Sequence, residues 1–154
     1  MVTMNEFNSQ VCTTKIQSQH LLDLGLKPET SDMVLFKSYD LPQYPVDYTF
    51  NQDPNALVNC IYVPMIKGNQ PFIQEGNIPS WSLHRLKCLL PTKIPYKSGY
   101  LTTEIINNVN LMFITDTSEQ RLISFIHENL YESMIKGITW LIKEDYFNKE
   151  YLKQ

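Results

Sequence analysis

The chain has 154 residues, 43% hydrophobic and 19% charged, with a formal net charge of −3. That length suits one hydrophobic core and is too short for two, and a core of this size needs no disulfide or metal to hold it together. The net charge and the lack of any long Lys/Arg run remove the footprint of a non-specific nucleic-acid binder, so only a local basic patch gathered by folding would remain.

The three cysteines, Cys12, Cys60 and Cys88, are odd in number and widely spaced. They fit neither a disulfide framework nor a zinc knuckle, and they suit a reducing compartment. Met1 to Val11 has no basic stretch leading into an apolar one, and no apolar run approaches the ~20 residues that span a bilayer. A cytoplasmic protein with no membrane segment is expected. Aromatic residues reach 12%, a share that favours a sheet.

Taken in order, residues 1–12 read as a loose leader to a single domain covering 1–154. Thr14 and Gln17 have capping-box spacing, and a short helix follows to Leu24 with Gly25 as its stop and Leu26 behind it. Met33 to Lys37 reads as a strand. Ser38 to Asn55 is interrupted by Pro42, Pro45 and Pro54 and reads as loop or edge. Leu57 to Ile66 is the next strand, Pro64 marking an edge or bulge.

Ile78-Pro79-Ser80-Trp81-Ser82-Leu83 reads as the opening of a second short helix, with Ser80 as cap and Pro91 as stop. Three strands follow at Tyr100 to Ile106, Asn110 to Thr115 and Arg121 to His127. Asn107-Asn108 suits a tight turn with positive φ, and short loops make this a three-strand antiparallel meander. The last helix is capped by Asn129, with Glu132 placed to reach back. Its apolar stripe is Tyr131, Met134, Ile135, Ile138, Leu141 and Ile142. The polar tail 148–154 is expected to fray. The expected class is α+β: an antiparallel sheet packed with two short helices and a long C-terminal one.

Three segments carry a resemblance. They are Leu21-Leu22-Asp23-Leu24-Gly25-Leu26 with Thr30-Ser31-Asp32-Met33, the Ile78 to Leu83 element ending at Leu90-Pro91, and Ile138-Thr139-Trp140-Leu141. In this order they resemble a family of small uncharacterised proteins encoded by gut anaerobic bacteria and their prophages and mobile elements. The resemblance runs from Thr13 to Phe147 and implies a genetic context rather than an activity. Its motifs are caps, turns and core positions.

Several constellations bear on chemistry. His84 and Cys88 stand at i, i+4 and share a helix face. They read as a thiolate–imidazole pair, as half of a metal site, or simply as a buried thiol beside a surface histidine, with no further Cys or His at ligand spacing. His20 and Asp23 share another face, without a nucleophile beside them. His127 sits where it can satisfy backbone groups. Asp40, Asp47 and Asp53 lack calcium-loop spacing and suit turns. The phosphate-loop, dinucleotide, serine-hydrolase and zinc-protease motifs do not occur.

No catalytic residue, metal or cofactor is therefore expected. The aromatic loop residues Tyr39, Tyr44, Tyr48 and Phe50, together with Trp81, form the candidate interaction surface, with packing over a helix start as the other reading of Trp81. The leading expectation is a non-enzymatic accessory protein acting through an unknown protein partner. The alternatives are a small enzyme assembled from distant His, Cys and Asp residues, or nucleic-acid binding through a local patch. A homo-oligomer stays open.

Overall fold

The computed structural model describes residues 10–39, 60–67, 76–109, 111–118 and 121–154. The chain enters its first helix, α1 (Lys15–Asp23), through the expected capping box. Thr14 Oγ1 accepts from the Gln17 N–H at 3.3 Å, and Gln17 Oε1 accepts from the Thr14 N–H at 3.0 Å. At the far end Gly25 takes φ +96°. The Leu26 N–H then donates to the Leu21 carbonyl at 3.0 Å and the Gly25 N–H to that of Leu22 at 2.9 Å, a Schellman stop. This turn brings Leu21 and Leu26 into the core, both fully buried.

Two antiparallel sheets follow. The first contains β1 (Met33–Tyr39), β2 (Cys60–Ile66) and β3 (Ile78–Ser80) in the order β2-β1-β3. Pro64 lies on the outer strand β2, where its missing N–H leaves no interior ladder bond unmade.

The strand β3 corrects the expectation that Ile78 to Leu83 opens a helix with Ser80 as cap. Ser80 pairs with Met33, and its hydroxyl donates to the Thr13 carbonyl at 2.7 Å. The cap of α2 (Leu83–Leu89) is Ser82, whose Oγ accepts from the Arg85 N–H at 3.1 Å. Asp32 holds Ser82 in turn, accepting from its N–H at 2.8 Å and from its hydroxyl. Leu90 leaves the helix in extended geometry, as a residue preceding proline prefers.

The second sheet has four strands rather than the expected three: β4 (Ile94–Tyr96), β5 (Gly99–Ile106), β6 (Leu111–Thr115) and β7 (Arg121–Ile126), in chain order. The strand β4 is short, carries Pro95 on the sheet edge, and joins β5 through Lys97-Ser98 with Lys97 at φ 48°. No Asn-Gly signal announces that hairpin. Asn107-Asn108 forms no positive-φ turn; it opens a 3₁₀ turn through Val109. A bulge after Ile114 inserts Leu122 into β7.

The third helix, α3 (Leu130–Lys143), lies on β6 and β7 and also touches α1. Tyr131, Met134, Ile135, Ile138 and Leu141 of the expected stripe are buried, and Ile142 is half-buried. Asn129 caps the helix by accepting from the Tyr131 N–H at 2.8 Å. The expected back-reach of Glu132 gives way to a hydrogen bond with Gln17. Close approach to the sheet occurs at Gly137, where a Cβ would fall 2.2 Å from the sulfur of the fully buried Met112.

Both ends of the described chain are more tightly held than expected. The tail folds back on the turn after α1: the Lys27 N–H donates to the Tyr151 carbonyl at 2.8 Å and the Lys153 N–H to that of Gly25 at 2.7 Å, flanking a Leu26–Leu152 bridge. Of the leader, residues 1–9 lie outside the described residues. Beyond them Cys12 is buried, and Gln10 bonds to the Cys12 carbonyl and to Gln17.

The elements meet at Thr13. Its Oγ1 accepts from the Trp81 N–H at 3.0 Å and lies 2.7 Å from Ser18 Oγ and 2.9 Å from Ser80 Oγ. Because Ser80 spends its proton on the Thr13 carbonyl, Thr13 donates to Ser80 and Ser18 donates to Thr13. Replacing Thr13 with Val keeps the volume but orphans the buried Trp81 N–H and the Ser18 hydroxyl proton, while Ser80 keeps its bond to the residue-13 carbonyl. Such losses cost about 1–3 kcal/mol each when unrelieved. Thr13→Val is expected to lower the Tm by about 5–10 °C, at the 2–4 °C per kcal/mol typical of this size. A calorimetric Tm unchanged within a degree would remove Thr13 from this role.

Candidate functional site: the groove between the first and third helices

Among the described residues, α1 and α3 line an open groove of about 550 Å³ together with Phe125 of β7. Its α1 wall is Ile16, Gln17 and His20. Its α3 wall is Glu132, Ile135, Lys136, Thr139, Trp140 and Lys143. Those six positions run i, i+3, i+4, i+7, i+8 and i+11, one continuous helix face. Where the core stripe of α3 turns to the sheet, this adjoining face turns to α1.

The polar groups inside the groove are largely committed to one another. Gln17 Nε2 donates to Glu132 Oε1, while Gln17 Oε1 serves the α1 cap and accepts from Gln10 at 2.7 Å. Asn129 Nδ2 donates to Gln10 Oε1 at 2.6 Å, linking the leader to the start of α3. His20 Nε2 lies 3.1 Å from Thr139 Oγ1. Thr139 spends its only proton on the Ile135 carbonyl at 2.7 Å, so His20 is the donor and carries its hydrogen on Nε2.

What remains free to meet a visitor is apolar and cationic. Ile16 is 82% exposed, although large aliphatic side chains normally turn inward. Trp140 is half-buried, packed at 5.7 Å against Tyr146, which meets Tyr96 at 6.3 Å. Lys136 and Lys143 are exposed and stand two turns apart along the α3 wall.

The residues singled out in the sequence lie elsewhere. Tyr44, Tyr48 and Phe50, with Asp40, Asp47 and Asp53, lie outside the described residues. Tyr39 ends β1, paired with Cys60 through the backbone. Trp81 offers no contact surface: it is fully buried, and its indole N–H donates to Thr30 Oγ1 at 3.0 Å. His20 and Asp23 are not brought together, since Asp23 accepts from Gln19 at 2.8 Å and His20 serves Thr139. His127 accepts from the Asn129 N–H at 3.1 Å, a backbone role at the start of α3. His84 and Cys88 do meet, with Nε2 and Sγ 3.5 Å apart, and both are exposed.

The groove itself escaped sequence reasoning. Ile16 reads as one of few apolar positions on a weak helix, and Glu132 reads as a cap. Only the second periodicity on α3, at 132, 136, 139 and 143, could have pointed to it. A scan against family models, a search of curated proteins and a search of solved structures each found no match to this chain.

Two buried acidic protons add a pH signature. Burial pushes the Cys12 thiol up, assisted by the nearby Asp32 carboxylate and opposed by the polar Ser80 side chain beside it. Burial also raises the Tyr131 phenol, against the Leu83 N–H that donates to its oxygen at 3.1 Å. An unfolded thiol loses its proton near about pH 8.5 and a phenol near about 10, while the folded groups hold theirs to higher pH. The folded state then binds more protons, so stability falls as pH rises through this range. The Tm is expected to decline progressively above about pH 8.5. Cys12→Ala should flatten the first part of that decline. An identical slope in Cys12→Ala would show the burial of this thiol to be without consequence.

Proposed function

We propose that the protein is a non-enzymatic interaction module whose α1–α3 groove receives an apolar side chain of a protein partner flanked by acidic residues. The observation that carries this reading is Ile16, 82% exposed on the lip of an apolar groove that Trp140 and Phe125 line. A Trp with part of its ring open in a groove is a frequent contact anchor. Lys136 and Lys143 give the groove a cationic margin on a chain whose net charge is −3. That local contrast favours an acidic partner and speeds its approach.

The internal pairing of Gln17 with Glu132 and of His20 with Thr139 supports a binding surface over a reactive one, because these groups are already hydrogen-bonded. Among the described residues no helix is long and apolar enough to cross a membrane, and a cytoplasmic site of action belongs to the same reading. So does the resemblance to products of mobile elements in gut anaerobes, which suggests an accessory role there. The aromatic loop of Tyr39, Tyr44, Tyr48 and Phe50 would then be a second contact region of the same partner.

The groove can be tested with short amphipathic helical peptides bearing a Leu or Phe anchor between Glu residues, and with Lys-flanked counterparts. The Glu-flanked peptide is expected to shift Trp140 emission saturably, with an affinity that falls as salt rises. Ile16→Asp, and Lys136→Glu combined with Lys143→Glu, should each weaken it by about tenfold or more, roughly 1.4 kcal/mol. Their melting temperatures should stay near wild type, since all three positions are exposed. Equal binding of the Lys-flanked peptide, or wild-type affinity in Ile16→Asp, would sink the assignment.

A further inference from the structure

We propose, taking the groove as the contact site inferred above, that the chain's own leader, residues 1–9, is a built-in competitor for the α1–α3 groove, which a partner has to displace. The leader has the make-up that the groove selects. Its sequence places Phe7 directly after Glu6, with Met4 three positions before Phe7. Glu6 is its one charged side chain, and it holds no Lys or Arg. Phe7 and Met4 are apolar anchors for a groove lined by Ile16, Phe125 and Trp140, and Glu6 complements Lys136 and Lys143 on the α3 wall. Glu132, the acid among the described lining residues, is bonded to Gln17 at one end, while the two lysines stand about one and three turns further along α3.

The chain delivers the leader to the groove. Gln10 is bonded to both helices that wall it: its Nε2 donates to Gln17 Oε1 at 2.7 Å, and its Oε1 accepts from Asn129, the cap of α3, at 2.6 Å. Gln17 itself lines the groove, so the leader joins the described chain at the Gln17–Glu132 end. From Glu132 to Lys143 the α3 wall rises by about 16 Å, at about 1.5 Å per residue. An extended chain gains about 3.3 Å per residue, so Phe7 reaches about 10 Å from Gln10 and Met4 about 20 Å, enough to span the wall. Tethering over so short a stretch presents the leader at an effective concentration of about millimolar, so a contact too weak to hold a free peptide still fills the groove. An incoming partner binds only the chains whose groove is open, and its apparent affinity falls by that fraction.

The test uses the full chain and the Glu-flanked Leu peptide as probe, titrated into wild type and into Met4→Asp combined with Phe7→Asp. The double variant is expected to bind the peptide about tenfold tighter, as follows if the leader fills the groove in about nine-tenths of wild-type chains. Glu6→Lys should give a smaller gain, and adding Ile16→Asp to the double variant should remove the gain. A photoreactive benzoylphenylalanine in place of Phe7 should cross-link within one chain to the segments carrying Ile16 or Trp140, and excess peptide should suppress that product. Equal peptide affinity in wild type and the double variant would overturn the leader's role while leaving the groove as a contact site. Peptide binding to neither would remove the groove reading, and the leader's role with it. Cross-links outside the groove walls, or only between two chains, would also overturn the proposal.

Discussion

The hydroxyl of Thr13 sits where four parts of the chain have to agree. It receives the backbone N–H of Trp81 and the hydroxyl of Ser18, and it supplies a proton to Ser80. The Thr13 N–H donates to the Trp81 carbonyl at 2.9 Å, so the segment before α1 is laced to the segment before α2. Being wholly buried, none of these groups can turn to water for compensation. The direction of α1, the end of β3 and the seat of the Trp81 ring are thus fixed together. From Trp81 the constraint passes through Thr30 to Arg85, whose Nε donates to the Thr30 carbonyl at 2.6 Å, and so into α2.

The groove is a consequence of that fixed direction. α1 is short and buries few side chains, so it is anchored at its first turn by Thr13, Thr14 and Gln17 rather than by a continuous apolar face. Gln17 reaches across to Glu132, and His20 reaches Thr139 two turns further along α3. These two polar bridges keep the helices in register without filling the space between them. The same polar economy leaves Ile16 exposed on the outer face of α1.

Features governed by local chemistry were legible in the sequence. The Thr14–Gln17 capping box, the Gly25 stop, the Asn129 cap and the apolar stripe of α3 each depend on a few adjacent residues. The misread features depend on partners far along the chain. Ser80 has the composition of a helix cap, but its hydroxyl is claimed by Thr13, 67 residues away. Glu132 has the spacing of a capping box, but Gln17 claims it across 115 residues. The tail 148–154 is polar enough to fray, yet the backbone of Gly25 and Lys27, the Lys27 side chain and the packing of Tyr151 and Leu152 on the core hold it. β4 is too short to show alternation and contains a proline, so only its pairing with β5 identifies it. The candidate groove was hidden for the same reason, since its walls are separated by more than a hundred residues and neither wall has a motif.

Gly137 and Met112 occupy one shared volume between α3 and the sheet. Because the sulfur of Met112 fills the place where a β-carbon at 137 would stand, the two positions hold a fixed sum of atoms rather than two independent identities. Among descendants of this sequence that keep α3 at its present height over the sheet, an alanine or serine at 137 should therefore appear with a smaller residue at 112. Such correlated exchange would leave an evolutionary record of the helix–sheet spacing, readable in variation alone.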